Sequence, residues 1–233
     1  MKEKIRVLPE PDRFAVCAVE DVPILKYYQG HFDEVFVFFH PFIKPISIDT
    51  SEFNPSTYPG KFRLVENCEA VSWSEFLDLS LIRNFEELDI GLRTRVLGLK
   101  QHLCNEETSK LINETCEKHN LIEPIEGMLP QLIIDGICKA VQSIGFDWLW
   151  IGDEFCTKRK LEYIDDIIQS DNLSRHNLFT PDKSILITTH WDSHFSFLCS
   201  TKEIIDEIVI NANLEGFYCR EETEIYWSIR KKN

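Results

Sequence analysis

The chain has 233 residues, with 25 Lys and Arg against 39 Asp and Glu and a formal net charge of −14 at pH 7. Such a surface repels phosphate polymers and lacks the basic footprint of a nucleic-acid binder. A hydrophobic share of 43%, with 16 phenylalanines and 5 tryptophans, is ample for a substantial core and argues against global disorder.

No stretch reaches the roughly 18 apolar residues of a membrane span, and the opening MKEKIRVLPEPDRF lacks a hydrophobic signal core. Neither a membrane partner nor export is expected, and the expected location is the cytoplasm. Eight cysteines occur without a CxxC pair in a chain too large to need staples, which predicts reduced, mostly buried thiols. One α+β domain over 1–233 is expected, with a mixed or antiparallel sheet packed against several helices. Residues 72–146 should be mainly helical, and 184–230 a hairpin, a helix and strands.

Val35 to Phe39, VFVFF, has the composition of a buried strand, and Pro41 just after it should limit further sheet pairing. Pro45, Pro55, Pro59 and Gly60 predict an ordered loop from Lys44 through Arg63, anchored by Ile46, Ile48, Phe53 and Phe62. Ser72 and Glu75 form a capping box ahead of the apolar series Phe76, Leu77, Leu79, Leu81, Ile82 and Phe85. Leu92, Val96, Leu99 and Leu103 carry the helical rhythm on, and after a turn at Asn105 so do Leu111, Ile112 and Cys116; Gly91 and Gly98 favour two or three shorter helices over one rod.

Leu132 to Ile144 reads as a buried helix ending near Gly145, and Asp147 to Ile151 as a strand. The Lys158, Arg159 and Lys160 run predicts a solvated helix start capped by Thr157, with Leu161, Ile164, Ile167 and Ile168 on its apolar side. Strands are expected at Ser184–Thr189 and Phe195–Cys199. Ser200 and Glu203 should cap a helix reciprocally, and Phe217–Cys219 and Thr223–Ile229 should add short strands.

The segment TTHWDSHFSF, Thr188 to Phe197, concentrates the chemically able side chains. On one straight strand His190, Asp192 and His194 would share a face and could offer two imidazoles and a carboxylate to a metal. Convergence on one ion would need strong curvature, so no metal or other cofactor is expected. A hairpin fits better: Asp192-Ser193 turns the chain, Trp191 covers the core edge, and Asp192 accepts backbone hydrogen bonds within the turn. Cys199 falls on the buried side of its strand. His40, after the first strand, is a second candidate, expected to be packed. Trp148, Trp150, Tyr226 and Trp227 alternate as in ordinary sheet packing, and Walker, GxGxxG, HExxH and GxSxG signatures are absent.

TTHWDSHFSFLCSTKEIIDEI and EGFYCREETEIYW, together with FFHPF near His40, give the chain a resemblance to uncharacterised cytoplasmic proteins of Bacillus-like bacteria. The same hairpin, helix and acidic-strand arrangement resembles bacterial toxin-immunity proteins. That resemblance implies neutralisation by binding, and an acidic surface would suit a basic protein partner. The expected function is therefore non-enzymatic protein binding, with His40, His190, Asp192, His194, Glu221, Glu222 and Glu224 as binding candidates. The alternative is a small-molecule or metal-dependent enzyme using the histidine hairpin. Its catalytic residues and the oligomeric state are not set by the sequence.

Overall fold

The computed structural model describes residues 10–171 and 177–229. The apolar composition that marked VFVFF as a strand places it, as β1, next to one edge of a seven-stranded antiparallel sheet of order β5-β4-β6-β7-β8-β1-β9. Its strands are β1 Glu34–Phe39, β4 Trp148–Gly152, β5 Arg159–Tyr163, β6 Asn177–Phe179, β7 Leu186–Thr189, β8 Phe195–Ser200 and β9 Gly216–Tyr218. A two-stranded sheet pairs β2 Phe42–Pro45 with β3 Cys68–Val71. The helices are α1 Ile24–Tyr27, α2 Lys61–Asn67, α3 Trp73–Leu79, α4 Phe85–Arg95, α5 Glu106–His119, α6 Gln131–Ser143, α7 Ile164–Ile168 and α8 Lys202–Asn211.

Every residue of β8 is buried, and so are all those of β1 but Glu34. Both faces of the central sheet are therefore covered, which is why these strands read as continuous apolar runs. On one face Val35, Val37, Phe39, Phe195 and Phe197 pack with Ile24, Trp73, Phe76, Leu88, Leu92 and Ile112 from α1, α3, α4 and α5. On the other, Phe36, Phe38 and Leu198 meet Ile134, Ile137, Ile164, Ile205 and Ile208 from α6, α7 and α8. The mixed α+β class with an antiparallel sheet thus holds. All eight cysteines are free thiols, six of them buried.

Local chemistry explains the element ends. Ser72 caps α3 with the expected reciprocal box, in which its backbone N–H donates to Glu75 and its hydroxyl accepts from the Glu75 N–H. A cap of this kind is worth about 1 kcal/mol. Asn105 caps α5 by accepting from the Thr108 N–H, and Gly145 follows α6 at φ +105, a conformation that favours glycine.

Several expectations are corrected. Chain pairing resumes just past Pro41, in β2, and α2 occupies part of the expected loop, leaving Ile46 and Phe62 exposed. The expected break into shorter helices holds, since α4 stops at Arg95, Leu97 takes φ +59, and the next α-helix begins only at Glu106. Lys158 to Tyr163 does not start a helix: Arg159–Tyr163 is edge strand β5, and only Ile164–Ile168 is helical. Thr201, not Ser200, caps α8, since the Ser200 hydroxyl is committed to the Ser184 carbonyl. Thr223–Ile229 contains no strand and folds as turns that carry Ile225 into the core.

Candidate functional site

The hairpin between β7 and β8 is closed by the Ser193 N–H donating to the His190 carbonyl at 3.1 Å. The central turn residues are thus Trp191 and Asp192 rather than Asp192 and Ser193. Trp191 points outward, 57% exposed, and does not cover the core edge. His40, His190, Asp192 and His194 are all buried, at 0%, 6%, 3% and 2% exposure. Buried polar groups need partners; His40, His190 and Asp192 find them in two clusters at this end of the sheet, whereas His194 Nδ1 has none.

The first cluster is built on α4. Asp89 and Arg93 stand one turn apart and both are fully buried, an ion pair with Arg93 Nε to Asp89 Oδ2 at 3.0 Å. The guanidinium also donates from Nη1 to Asp192 at 3.1 Å and from Nη2 to the Ser193 hydroxyl at 2.9 Å and the Ile225 carbonyl at 3.1 Å. It lies over the Tyr226 ring at 4.6 Å and the Phe195 ring at 5.3 Å. Planar, delocalised and rich in donors, Arg suits such a position better than Lys would.

Asp192 is the second hub. It accepts hydrogen bonds from His190 Nδ1 at 2.6 Å and from the Tyr226 hydroxyl at 3.1 Å, besides the Arg93 contact. Burial pushes its carboxyl up, but the His190 hydrogen bond and the Arg93 charge outweigh that and hold it at about 2. Asp192 therefore accepts from side chains and not from the backbone of its turn. Asp89 moves the other way: burial dominates and raises it, although Arg93 and the Ser228 hydroxyl oppose the shift.

The second cluster lies on the face that carries Phe38. A carbonyl can only accept, so the 2.8 Å contact of His40 Nδ1 with the Ile125 carbonyl places the imidazole proton on Nδ1. Nε2 then accepts from the Ser196 hydroxyl at 2.7 Å, and the Ser196 oxygen accepts from Thr189 at 2.6 Å. Burial holds His40 down to about 4. His194 is held at about 3 by burial and by the neighbouring His40 and Arg93, and its Nδ1 has no hydrogen-bond partner. Gly127 locks the 120s loop over the turn. Its N–H donates to the Ser193 carbonyl at 3.0 Å, and a Cβ there would sit 2.3 Å from the Trp191 carbonyl oxygen.

Among the described residues no group of three or more His, Cys, Asp or Glu side chains is arranged to hold a metal ion. His190, Asp192 and His194 do not form one: His190 bonds Asp192, while the His194 Nδ1 has no partner. A cavity adjoins the His40 cluster, and a groove lies away from it. The cavity is narrow and lined by Pro41, Tyr58, Ile125 and Gln131; the groove, of about 480 Å³, has a mixed lining of Asn113, Cys116, Glu117, Leu121, Ile122 and Glu123. Of the acidic candidates, Glu221 and Glu222 are exposed and Glu224 is half-buried. Sequence reading missed Arg93, Asp89 and Ser196. The Asp89–Arg93 spacing of four was the available signal, but it equally describes a surface ion pair.

Fold and site together define an antiparallel α+β protein with a buried polar assembly at one end of its sheet. The chain belongs to the family described as Protein of unknown function (DUF2711), whose model matches residues 20–229. No curated protein and no solved structure matches the chain. Among the described residues no helix is long and apolar enough to cross a membrane.

Proposed function

We propose that this is a non-catalytic binding protein of the bacterial cytoplasm, akin to the toxin-immunity proteins, whose partner is a basic protein. The observation that supports this reading most is the burial of His40, His190, Asp192 and His194, each taken up within the fold. With its most reactive side chains spent on architecture, the molecule offers partners an acidic exterior, formal charge −14. Asp192 and His194 are too buried to touch a partner, so the contact falls to Glu221 and Glu222 in the turn after β9, with Glu224 beside them. Complementary charge of this sort speeds encounter and selects partners more than it adds affinity.

The test uses a partner cross-linked to the protein in cells, then purified and reconstituted with it. Glu221→Lys with Glu222→Lys is expected to weaken that complex about tenfold and to flatten its salt dependence, with unchanged thermal stability. A complex indifferent to both the reversals and the salt refutes the electrostatic contact.

A second reading, a hydrolase using the histidine hairpin, has one observation in its favour. The Ser196 hydroxyl sits 2.7 Å from a His40 Nε2 whose tautomer is set to receive a proton. Under that reading a fluorophosphonate would bond phosphorus to Ser196 Oγ, expel fluoride and leave the proton on His40. Mass spectrometry would find one adduct, absent from Ser196→Ala; an unlabelled protein removes this reading.

A further inference from the structure

We propose that β5 is the dimerisation edge of this protein, pairing antiparallel with β5 of a second copy to join the two seven-stranded sheets. Among the described residues β5 has β4 as its only strand neighbour. The Asp153 N–H donates to the Lys158 carbonyl and the Ile164 N–H to the Asp147 carbonyl. In an antiparallel ladder, bonded positions alternate. Lys158, Lys160, Glu162 and Ile164 therefore turn their backbone groups toward β4, and Arg159, Leu161 and Tyr163 present theirs to the open edge. An unpaired row of this kind is a template for another strand.

What selects a second copy is the self-complementarity of Arg-Lys-Leu-Glu-Tyr. A two-fold interface brings each residue against its mirror position. With Leu161 opposite the partner's Leu161, every outward backbone group of Arg159, Leu161 and Tyr163 meets an outward group of the other chain. The same register sets Lys160 against the partner's Glu162, and Glu162 against the partner's Lys160, at the closer, non-hydrogen-bonded type of pair. These two side chains already attract each other within one chain, at 2.8 Å. On the opposite face Leu161 and Tyr163, 37% and 48% exposed, lie beside Trp150 and Trp148. The Trp148 and Tyr163 rings stack at 3.5 Å, and Arg159 lies over Trp150. Pairing would continue this aromatic surface across the axis and place Arg159 next to the partner's Tyr163, a cation–π partner. The basic run that sequence alone suggested as a solvated helix start thus acquires a specific counterpart.

Sedimentation velocity of the full chain up to about 100 μM, the range of a weak specific interface, decides the matter. The wild type is expected to be a dimer at the upper concentrations. Lys160→Glu and Glu162→Lys should each weaken it about tenfold or more, because both cross-strand pairs become like-charged. The double variant should dimerise again, and an equimolar mixture of the two single variants should form a heterodimer with both pairs restored. Circular dichroism of each single variant should match the wild type. A wild type monomeric throughout, single variants that associate as tightly as it does, or a mixture that stays monomeric each overturns the proposal.

Discussion

Arg93→Met is expected to lower the free energy of unfolding by about 3–5 kcal/mol at pH 7, the loss typical of breaking a buried pair from one side. The guanidinium alone joins Asp89 to Asp192, and both carboxylates are buried. Without it two negative charges face each other in a region that excludes water. Urea denaturation measures the change, with a constant slope against denaturant confirming that the unfolding reaction is the same. Adding Asp89→Asn and Asp192→Asn to Arg93→Met should recover much of the loss, because the uncompensated charge disappears with the acids. A loss below about 1 kcal/mol would be that of an exposed ion pair and would contradict the buried assignment.

Stability is expected to fall steeply as pH drops from about 6.5 toward 4. Unfolded histidine titrates near 6.5, whereas folded His40 and His194 titrate at about 4 and about 3. Their contribution is therefore complete above the unfolded value and is lost on acidification, as the unfolded chain takes up protons the folded chain refuses. Two such groups give a slope approaching about 2.7 kcal/mol per pH unit. Asp192, depressed to about 2, adds stability that is present above its unfolded 3.8 and is lost only lower, as pH falls through the folded value. Asp89, raised by burial, works in the opposite sense and gains on acidification. Urea midpoints at several pH values give the slope, and His194→Gln should roughly halve it. Equal midpoints at pH 7 and pH 5 would mean that the imidazoles are not buried neutral.

The parts of the fold that were legible are those whose pattern is local. VFVFF and the strands around the histidine hairpin announce themselves because both sheet faces are covered, and Ser72 with Glu75 shows its cap in four residues. β5 was misread because an edge strand is half solvated, so its charges imitate a helix start. β2 and β3 were missed because four residues carry too little alternation to register. At the site, the histidines and Asp192 were visible as a cluster, but not the reason for it. Arg93 becomes a core residue only because the hairpin turn and the Ile225 carbonyl close over it, from about a hundred or more positions further on. No window on α4 contains that information.

The position of β1 between β8 and β9 has a consequence for the growing chain. Its six residues, EVFVFF, leave the ribosome well before the strands that complete its two edges, at 195–200 and 216–218. At about 5–20 residues per second, the nascent strand waits roughly 10–30 s for them. Apolar, rich in β-formers and free of Gly and Pro, it has the composition of a segment that recruits like segments from other chains. Slower synthesis is therefore expected to lower the yield of native protein and a holding chaperone to raise it.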